Sequence, residues 1–278
     1  MRIEFLKMQG LGNDFLVFDA PAATSDDPLD SDRLRALADR HTGVGFDQAL
    51  ILEAPRHADT RVFYRVFNAD GGEVEQCGNG ARCIAALMYS RRPELGREFT
   101  LESAGGVVEA RVRSDGLVSV DMGVPDFDPR ALPLDVPAES AAYVVDLDGA
   151  EIEFGAVSMG NPHAVLCVAD VKTAPVERFG PTIERHARFP KRTNVGFMEI
   201  VDRGHIRLRV HERGVGETLA CGTGACGAVA IGRKRGLLDA EVQVDLPGGT
   251  ASVSWVGPGR RLWLTGPATT VFTGSIDI

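Results

Sequence analysis

Hydrophobic and polar residues alternate along many short stretches of the chain, which predicts a protein built largely from β-strands. In the first half, strands are expected at residues 3–10, 15–18, 49–52, 60–67, 98–101, 106–113 and 117–121. Residues 32–39 instead follow helical periodicity. A second run, from Ala81 to Met88, is apolar nearly all round, which indicates a helix buried inside a domain.

The second half of the chain repeats motifs of the first half in the same order. Ile152-Glu153-Phe154 matches Ile3-Glu4-Phe5, and Cys221-Gly222-Thr223-Gly224 matches Cys77-Gly78-Asn79-Gly80. Seven such matches occur, and their separation narrows only from 149 residues at the start to 143 at the end. A fixed order with a nearly constant offset predicts a duplicated α/β unit, in which each copy wraps its strands around one apolar helix.

A proline-rich segment divides the two copies. Residues 123–142 contain Pro125, Pro129, Pro133 and Pro137, which favours an extended connection. The tail after residue 268 has no counterpart, and its Val271, Phe272 and Ile276 are expected to add a strand to the first copy. The predicted domains are therefore residues 1–122 with 268–278, and residues 123–267.

The net charge and the distribution of apolar residues make some classes of binding partner unexpected. The 278 residues carry a net charge of −9 and no basic cluster, so neither nucleic acid nor an anionic membrane is an expected partner. The chain has no apolar stretch long enough to span a bilayer, and residues 1–15 lack the apolar core of a signal peptide, which predicts a cytoplasmic protein. Five cysteines, an odd number, favour free thiols over a disulfide framework.

Two of these cysteines stand where chemistry is expected. Cys77 and Cys221 each precede a Gly-polar-Gly sequence that opens a helix. Unpaired N–H groups and the helix dipole are able to lower a thiol pKa from about 8.5 to roughly 3.5–7.5. Gly78-Asn79 and Gly222-Thr223 read as two anion-binding nests. We expect a substrate carboxylate between them, with one sulfur on each face of the adjacent carbon, as in a two-base racemase or epimerase.

The other cysteines, Cys83, Cys167 and Cys226, lie inside helix or strand patterns and are expected to pack as small residues of the protein interior.

The other polar candidates remain ambiguous on their residue types alone. Asn13, Asn68 and Asn161 suit turns as well as ligand binding. Gln48 and Asn194 suit a solvated surface, Glu212-Arg213 suits an exposed charge pair, and His163 suits a structural histidine.

A family resemblance favours the functional roles of these polar residues over the structural ones. The segments that carry it are Met8–Phe15, Asn68–Gly71, Cys77–Cys83, Met159–His163, Arg192–Val195, and Glu212-Arg213-Gly214 with Glu217-Thr218 up to Cys221-Gly222-Thr223-Gly224. Together they resemble the diaminopimelate epimerase family. The resemblance implies a cofactor-free, metal-free interconversion of LL- and meso-diaminopimelate on the route to lysine and cell-wall precursors. It also implies two pseudosymmetric α/β (α+β) domains, each a curved mixed sheet around a central helix, and a homodimer.

The resemblance also implies roles for individual residues. Cys77 and Cys221 are the base and the acid, and His163 and Glu212 adjust the thiol pKa values. The residues implied to bind the substrate are Asn13, Gln48, Asn68, Gly78, Asn79, Asn161, Asn194, Glu212, Arg213, Gly222 and Thr223. One departure is His211, at a position where an aromatic residue is common in the family.

Four alternatives compete with this interpretation. The nearest is another two-cysteine racemase, acting on proline or hydroxyproline, whose substrate lacks a second amino-acid head for Glu212 and Arg213 to bind. A thiol redox protein is disfavoured by the absence of a Cys-x-x-Cys pair. A metal-binding module using Cys77, Cys221, His163 and Glu212 lacks the usual paired ligand spacing. A pyridoxal enzyme is disfavoured because neither glycine-rich segment contains a lysine.

Overall fold

The computed structural model describes residues 2–20, 29–75, 77–147 and 149–277, apart from the side chain of Leu95. The chain forms two compact units. The first unit comprises Met1–Val120 and Gly266–Ile278, and the second unit comprises Asp121–Thr265. Among the described residues, no helix combines the length and the apolar character needed to cross a membrane.

Strands dominate both units. The strands are β1 (Arg2–Gly10), β2 (Asn13–Asp19), β3 (Gln48–Glu53), β4 (Thr60–Asn68), β5 (Glu73–Val74), β6 (Glu98–Ser103), β7 (Gly106–Val112), β8 (Val118–Asp121), β9 (Tyr143–Leu147), β10 (Ala150–Ser158), β11 (Pro162–Cys167), β12 (Asn194–Asp202), β13 (His205–Glu212), β14 (Gly216–Thr218), β15 (Glu241–Leu246), β16 (Gly249–Ser254), β17 (Trp263–Gly266) and β18 (Thr269–Asp277). The helices are α1 (Ser31–Ala38), α2 (Gly78–Arg91), α3 (Val176–Glu184) and α4 (Gly222–Lys234), with a 3₁₀ turn at Pro93–Leu95.

The strands of the two units pair in the same order. In the first unit β1–β2 is antiparallel, β2–β3 parallel, β3–β4 antiparallel, β4–β6 parallel, and β6–β7 antiparallel. In the second unit the series β10–β11, β11–β12, β12–β13, β13–β15 and β15–β16 repeats those directions. Even the register repeats, because Phe15 lies opposite Gln48 and His163 lies opposite Asn194. The predicted α/β class and the duplication are confirmed by this shared topology.

In the first unit, the sheet is covered on both faces. Leu16 and Phe18 of β2 pack with Leu34 and Leu37 of α1 in one hydrophobic cluster. Leu50 points to the other face, where a Cβ atom added to Gly80 of α2 would be 3.2 Å from its side chain. Most of α2 is buried, as its apolar sequence predicts. Because both faces are covered, the strands between the helices are buried runs rather than strictly alternating ones.

The second unit is built in the same way. Phe154 and Phe197 pack with Val176 and Ile183 of α3 in one cluster. The central helix α4 lies on β10, β11 and β12, and its residues from Gly224 to Gly232 are all buried. The proline-rich segment 123–142, which is fully described, contains neither a helix nor a strand. It packs on this unit through Leu132 and Leu134.

The C-terminal strand adds to the first unit. β18 pairs antiparallel with β1, from Arg2 opposite Asp277 to Gln9 opposite Thr269. The ring of Phe272 meets that of Phe5 edge-on at 6.1 Å. The strand predicted from the hydrophobic residues of the tail is confirmed.

Gly155 provides a test of how tightly α4 packs on β10. A Cβ atom at this position would lie 2.3 Å from Cγ2 of Ile231, a buried residue of α4. We expect Gly155→Ala to lower the free energy of unfolding by about 1–3 kcal/mol, because the core cannot absorb the added carbon without strain. The measurement is equilibrium unfolding in urea.

Gly204→Ala is the matched control. The nearest heavy atom to an added Cβ atom there is Oδ1 of Asp202, at 3.5 Å. Both substitutions reduce the freedom of the unfolded chain equally, so the difference between them isolates the clash. Equal unfolding midpoints for the two variants would contradict the close packing of α4 on β10.

Candidate active site

Cys77 is the residue immediately before α2. Its backbone is extended, with φ −140° and ψ 117°, and its carbonyl accepts the N–H of Ala81 at 2.8 Å. The thiol is half-buried, whereas Gly78 and Asn79 in the first turn are buried. The predicted position of a cysteine at a helix start is confirmed, because the first turn of α2 follows Cys77 directly.

Asn13 is one polar partner of this thiol. The Sγ of Cys77 donates to Oδ1 of Asn13 at 3.8 Å, and Nδ2 of Asn79 donates to the same oxygen at 3.2 Å. The Nδ2 of Asn13 donates to the Asp47 carboxylate at 3.0 Å. Because a carboxylate only accepts hydrogen bonds, Asp47 determines which end of the Asn13 amide faces Cys77. Asn13 follows a two-residue turn in which Leu11 and Gly12 have φ of 59° and 80°, as in a type I′ hairpin.

An ionic network behind Asn13 was missed by sequence reasoning. The guanidinium of Arg40 binds both carboxylate oxygens of Asp14, at 3.0 and 2.7 Å, and also reaches Asp47 at 2.8 Å. Lys7 donates to Asp14 at 2.6 Å. Burial raises the pKa of Asp14, but the hydrogen bonds and charges of Arg40 and Lys7 outweigh it and leave the pKa at about 2. Asp14 is therefore ionised at neutral pH and holds Arg40 against Asp47.

Gln48 and Asn68 complete the first group. Asn13 begins β2, Gln48 begins β3 and Asn68 ends β4, so all three lie at the same edge of the sheet. Nε2 of Gln48 donates to Oδ1 of Asn68 at 2.9 Å. Oε1 of Gln48 is buried and has no hydrogen-bond partner among the described residues. A buried acceptor of this kind is suited to an N–H group from a ligand.

Cys221 occupies the corresponding position before α4. Its backbone is again extended, with φ −114° and ψ 108°, and its carbonyl accepts the N–H of Ala225 at 3.0 Å. The residue is only 4% exposed. Its Sγ lies 3.6 Å from Oγ1 of Thr223. A Cβ atom on Gly224 would lie 3.2 Å from this sulfur, so the glycine leaves room for the thiol over the first turn.

The expected lowering of the thiol pKa is wrong for Cys221. Burial raises its pKa well above the ordinary value, and the carboxylate of Glu212 raises it further, while Thr223 and the N–H of Gly224 oppose this. A helix terminus contributes about 0.3–1 kcal/mol, or up to roughly 2 kcal/mol when partly buried. Desolvation and a neighbouring negative charge exceed that contribution, so Cys221 rests as a thiol in this structure.

A chain of hydrogen bonds connects His163 to Cys221. Nε2 of His163 lies 3.0 Å from Oδ1 of Asn161, and Nδ2 of Asn161 donates to Oγ1 of Thr223 at 3.3 Å. Thr223 in turn contacts the sulfur. Burial lowers the pKa of His163 to about 3, with a smaller contribution from the charge of Arg213. His163 is therefore neutral, and its connection to the thiol consists of hydrogen bonds rather than a charge.

Glu212 and Arg213 lie where β13 ends. Glu212 accepts a hydrogen bond from the hydroxyl of Thr218. Arg213 is exposed, and its Nη1 donates to the carbonyl of Lys191 at 3.3 Å. The N–H of Arg213 donates to Oδ1 of Asn194 at 2.9 Å. Nδ2 of Asn194 donates to the carbonyl of Pro162 at 2.9 Å. Asn194 is thus buried between two backbone segments, and it holds Arg213 in place.

The structure brings the candidate residues of each unit into one group. The group in the first unit contains Asn13, Gln48, Asn68, Cys77, Gly78 and Asn79. The group in the second unit contains Asn161, His163, Asn194, Glu212, Arg213, Cys221, Gly222 and Thr223. Asp47 next to Gln48, and Asp14 within the Gly-Asn-Asp-Phe motif, were the available signals for the missed ionic network.

Comparison with known proteins gives one consistent family. The chain matches the family model described as diaminopimelate epimerase over residues 5–127 and 155–271. It is 54% identical over 280 residues to the diaminopimelate epimerase of Thioalkalivibrio sulfidiphilus (strain HL-EbGR7), and 50% identical over 278 residues to that of Pseudomonas fluorescens, with 100% of both chains covered in each case. Among solved structures, a hydroxyproline epimerase from Agrobacterium vitis has a TM-score of 0.68 at 17% identity, covering 99% of this chain and 92% of its own. That last similarity shows the fold alone.

Proposed function

The chain belongs to the diaminopimelate epimerase family, and on this premise we propose that Cys77 and Cys221 transfer the protons that interconvert LL- and meso-diaminopimelate. The reaction makes it an isomerase of lysine biosynthesis. The observation that supports the site most directly is the duplication itself. Each unit places a cysteine immediately before its central helix, beside glycines and a polar residue of the first turn.

The chemistry follows from what inversion requires. A proton must leave the α-carbon from one face and a different proton must arrive on the opposite face. A thiolate takes the first proton and becomes a thiol, and the second thiol gives its proton and becomes a thiolate. Cys221 is protonated in the resting enzyme, so we assign it the donor role in the first turnover. Cys77, whose thiol donates to Asn13, acts as the base once it has lost its proton. After one turnover the protonation states are exchanged, which sets the enzyme for the reverse direction.

The negative charge that develops next to the α-carbon also needs stabilisation. We assign this role to the backbone N–H groups at Gly78-Asn79 and Gly222-Thr223, which begin α2 and α4. One helix dipole contributes at most about 2 kcal/mol, whereas enzymes typically lower a barrier by about 8–23 kcal/mol. Several fixed N–H donors in a site without bulk water contribute far more, because they need no reorganisation as the charge forms.

The second amino-acid head of the substrate carries a carboxylate and an ammonium group. Arg213 is exposed, and its planar guanidinium group suits bidentate binding of a carboxylate. Glu212 suits the ammonium group, and the buried Oε1 of Gln48 is a further acceptor. Asn13, Asn68, Asn161 and Asn194 supply additional amide groups, and Asn194 also accepts the backbone N–H of Arg213. An enzyme for proline would not need these additional binding groups, because proline has no second amino-acid head.

Four further features belong to the same proposal. The enzyme works without a bound cofactor or metal ion, it acts in the cytoplasm, and it forms a homodimer. Its two functional domains comprise residues 1–122 with 268–278, and residues 123–267.

The proposed activity is tested by incubating the purified chain with LL-diaminopimelate in deuterated water, without added cofactor. We expect meso-diaminopimelate to accumulate, with one solvent deuterium at the inverted α-carbon, because the returning proton comes from a thiol that exchanges with solvent. Chiral chromatography with mass spectrometry measures both quantities.

Proline and hydroxyproline are the matched substrates for the rival activity. The shared fold with a hydroxyproline epimerase makes this comparison necessary. Faster inversion of either imino acid than of diaminopimelate, or the absence of deuterium from the meso product, would rule out the proposed assignment.

A further inference from the structure

The most unusual charged group outside the proposed reaction is Glu184. It is the last residue of α3, and its side chain is only 2% exposed. A negative charge is unfavourable at the C-terminal end of a helix dipole. Burying a carboxylate also costs several kcal/mol unless hydrogen bonds and positive charges compensate it. A carboxylate at this position therefore needs specific partners.

Its two hydrogen-bond partners lie on either side of the Glu212-Arg213 pair, and Nη1 of Arg192 lies 3.7 Å from its Oε1. Oε2 of Glu184 lies 3.0 Å from Nε2 of His211, and Oε1 accepts the backbone N–H of Gly214 at 3.0 Å. Burial raises the pKa of Glu184, but the hydrogen bonds from His211 and Gly214 and the nearby positive charges outweigh it, so the pKa lies below its usual range. Glu184 is thus ionised at neutral pH, and one side chain binds the residues directly before and directly after Glu212-Arg213.

The backbone around these contacts is adapted to them. Gly180 lies one turn before Glu184 on α3, and a Cβ atom there would be 2.6 Å from Cγ of His211. Only glycine lets the imidazole lie on this helix at that distance. Gly214 has φ +78°, and the N–H of Val215 donates to the carbonyl of Glu212 at 3.1 Å, which closes the turn. The left-handed conformation of Gly214 directs its N–H into the oxygen of Glu184.

We propose that Glu184 is a positioning residue, which fixes both ends of the Glu212-Arg213 pair so that the two side chains are held ready for the second head of the substrate. This role rests on the proposed function, because Glu212 and Arg213 bind that head only if the substrate is diaminopimelate. Asn194 holds the middle of the same turn through the N–H of Arg213. Glu184 and Asn194 together leave the turn little freedom.

The contacts explain why a carboxylate is needed rather than an amide. Both oxygens of Glu184 accept, one from a backbone N–H and one from the imidazole. A glutamine offers one oxygen and one NH₂ group. If the NH₂ group faces Gly214, it lies against the backbone N–H of Gly214, and two hydrogen-bond donors oppose each other. If it faces His211, the hydrogen bond between the imidazole and a charged carboxylate is lost. Aspartate keeps both acceptors but is one methylene shorter.

The test compares Glu184→Gln with Glu177→Gln, an exposed residue in the first turn of the same helix. A hydrogen bond to a charged group is stronger than a neutral one, so we expect the KM for LL-diaminopimelate to rise about 10-fold or more in Glu184→Gln. The value of kcat should fall by less than about 3-fold, because the loss is in substrate binding rather than in the proton transfer. Hydrogen–deuterium exchange of the peptide containing residues 212–215 should become about 10-fold faster. Glu177→Gln should match the wild type in both measurements.

The exchange measurement separates this inference from the proposed function. If the wild-type chain does not epimerise diaminopimelate, the proposed function fails, and faster exchange confined to residues 212–215 still supports Glu184 as the residue that fixes the Glu212-Arg213 pair. If the wild type is active and Glu184→Gln keeps both its KM and its exchange rate, the inference is wrong. Faster exchange throughout α3 and β13 with an unchanged KM indicates a purely structural role and overturns it as well.

His211→Phe keeps the test decisive if Glu184→Gln does not fold. Phenylalanine retains a planar ring against Gly180 but removes one of the two hydrogen bonds to Glu184. We expect a smaller rise in KM, about 3-fold, with faster exchange at residues 212–215. Wild-type values in both measurements would overturn the inference.

Discussion

Cys77→Ala and Cys221→Ala are each expected to lower the rate of epimerisation by at least about 10³-fold. Positioned acid–base groups contribute roughly 10²–10⁴-fold to a rate, and inversion needs both groups in the same turnover. Each thiol lies at the start of a central helix, and alanine there removes the proton-transfer group without changing the backbone that positions it. The measurement is the initial rate of meso-diaminopimelate formation at saturating LL-substrate.

Cys167→Ala is the control for these variants. Cys167 ends β11, is exposed, and contacts Arg235 rather than any residue of the proposed site. Its replacement should leave the rate within about 2-fold of the wild type, as is usual for surface positions. Near wild-type inversion by either Cys77→Ala or Cys221→Ala would refute the assignment of that cysteine, and equal losses in all three variants would point to a general defect.

Glu212→Gln is expected to have the second largest effect, through both charge and binding. The carboxylate of Glu212 is, after burial, the main reason why the pKa of Cys221 is raised. A nearby negative charge favours the neutral thiol, so its removal favours the thiolate and lowers the pKa of Cys221. The variant also loses the charge proposed to pair with the substrate ammonium. We expect kcat/KM to fall by about 10²-fold or more.

The pKa of Cys221 can be read from the ultraviolet absorbance of its thiolate as a function of pH. Subtracting the titration of the same protein with Cys221→Ala isolates this one sulfur from the other four cysteines. The Glu212→Gln titration should move to lower pH than the wild type. Glu217→Gln is the control, since Glu217 pairs with Arg209 on the exposed side of the strand. A titration of Cys221 that stays in place or moves to higher pH in Glu212→Gln would contradict the role of this charge.

Sequence reasoning succeeded where the signal is local or repeated. The buried helix after Cys77 was predicted from its apolar composition, and it is α2. The duplication was predicted from motif order, and the pairing of Phe15 with Gln48 recurs as His163 with Asn194. These features are readable because strand and helix periodicity, glycine-rich turns and motif spacing are properties of neighbouring residues.

Contacts between residues that are far apart in the chain could not be predicted from local sequence patterns. Asn13 is oriented by Asp47, which lies 34 residues further along the chain. Glu184 was not a candidate at all, because its partners His211 and Gly214 lie 27 and 30 residues away. The role of Asn194 as a substrate ligand stays a prediction, but the sequence did not reveal that its amide also bonds Pro162 and Arg213. Residue type and local pattern do not reveal which side chains fold onto one another.

The amino-acid sequence by itself determined the duplicated α/β architecture, the two cysteines at helix starts and the family. Only the tertiary structure decided the protonation states of Cys221 and His163. Cys221 rests as a thiol because α4 buries it beside Glu212, and His163 is neutral because the same unit buries its ring. The physical reason is that the pKa of a side chain depends on the water and charge within a few ångströms of it, and folding brings that surrounding together from segments far apart in the chain.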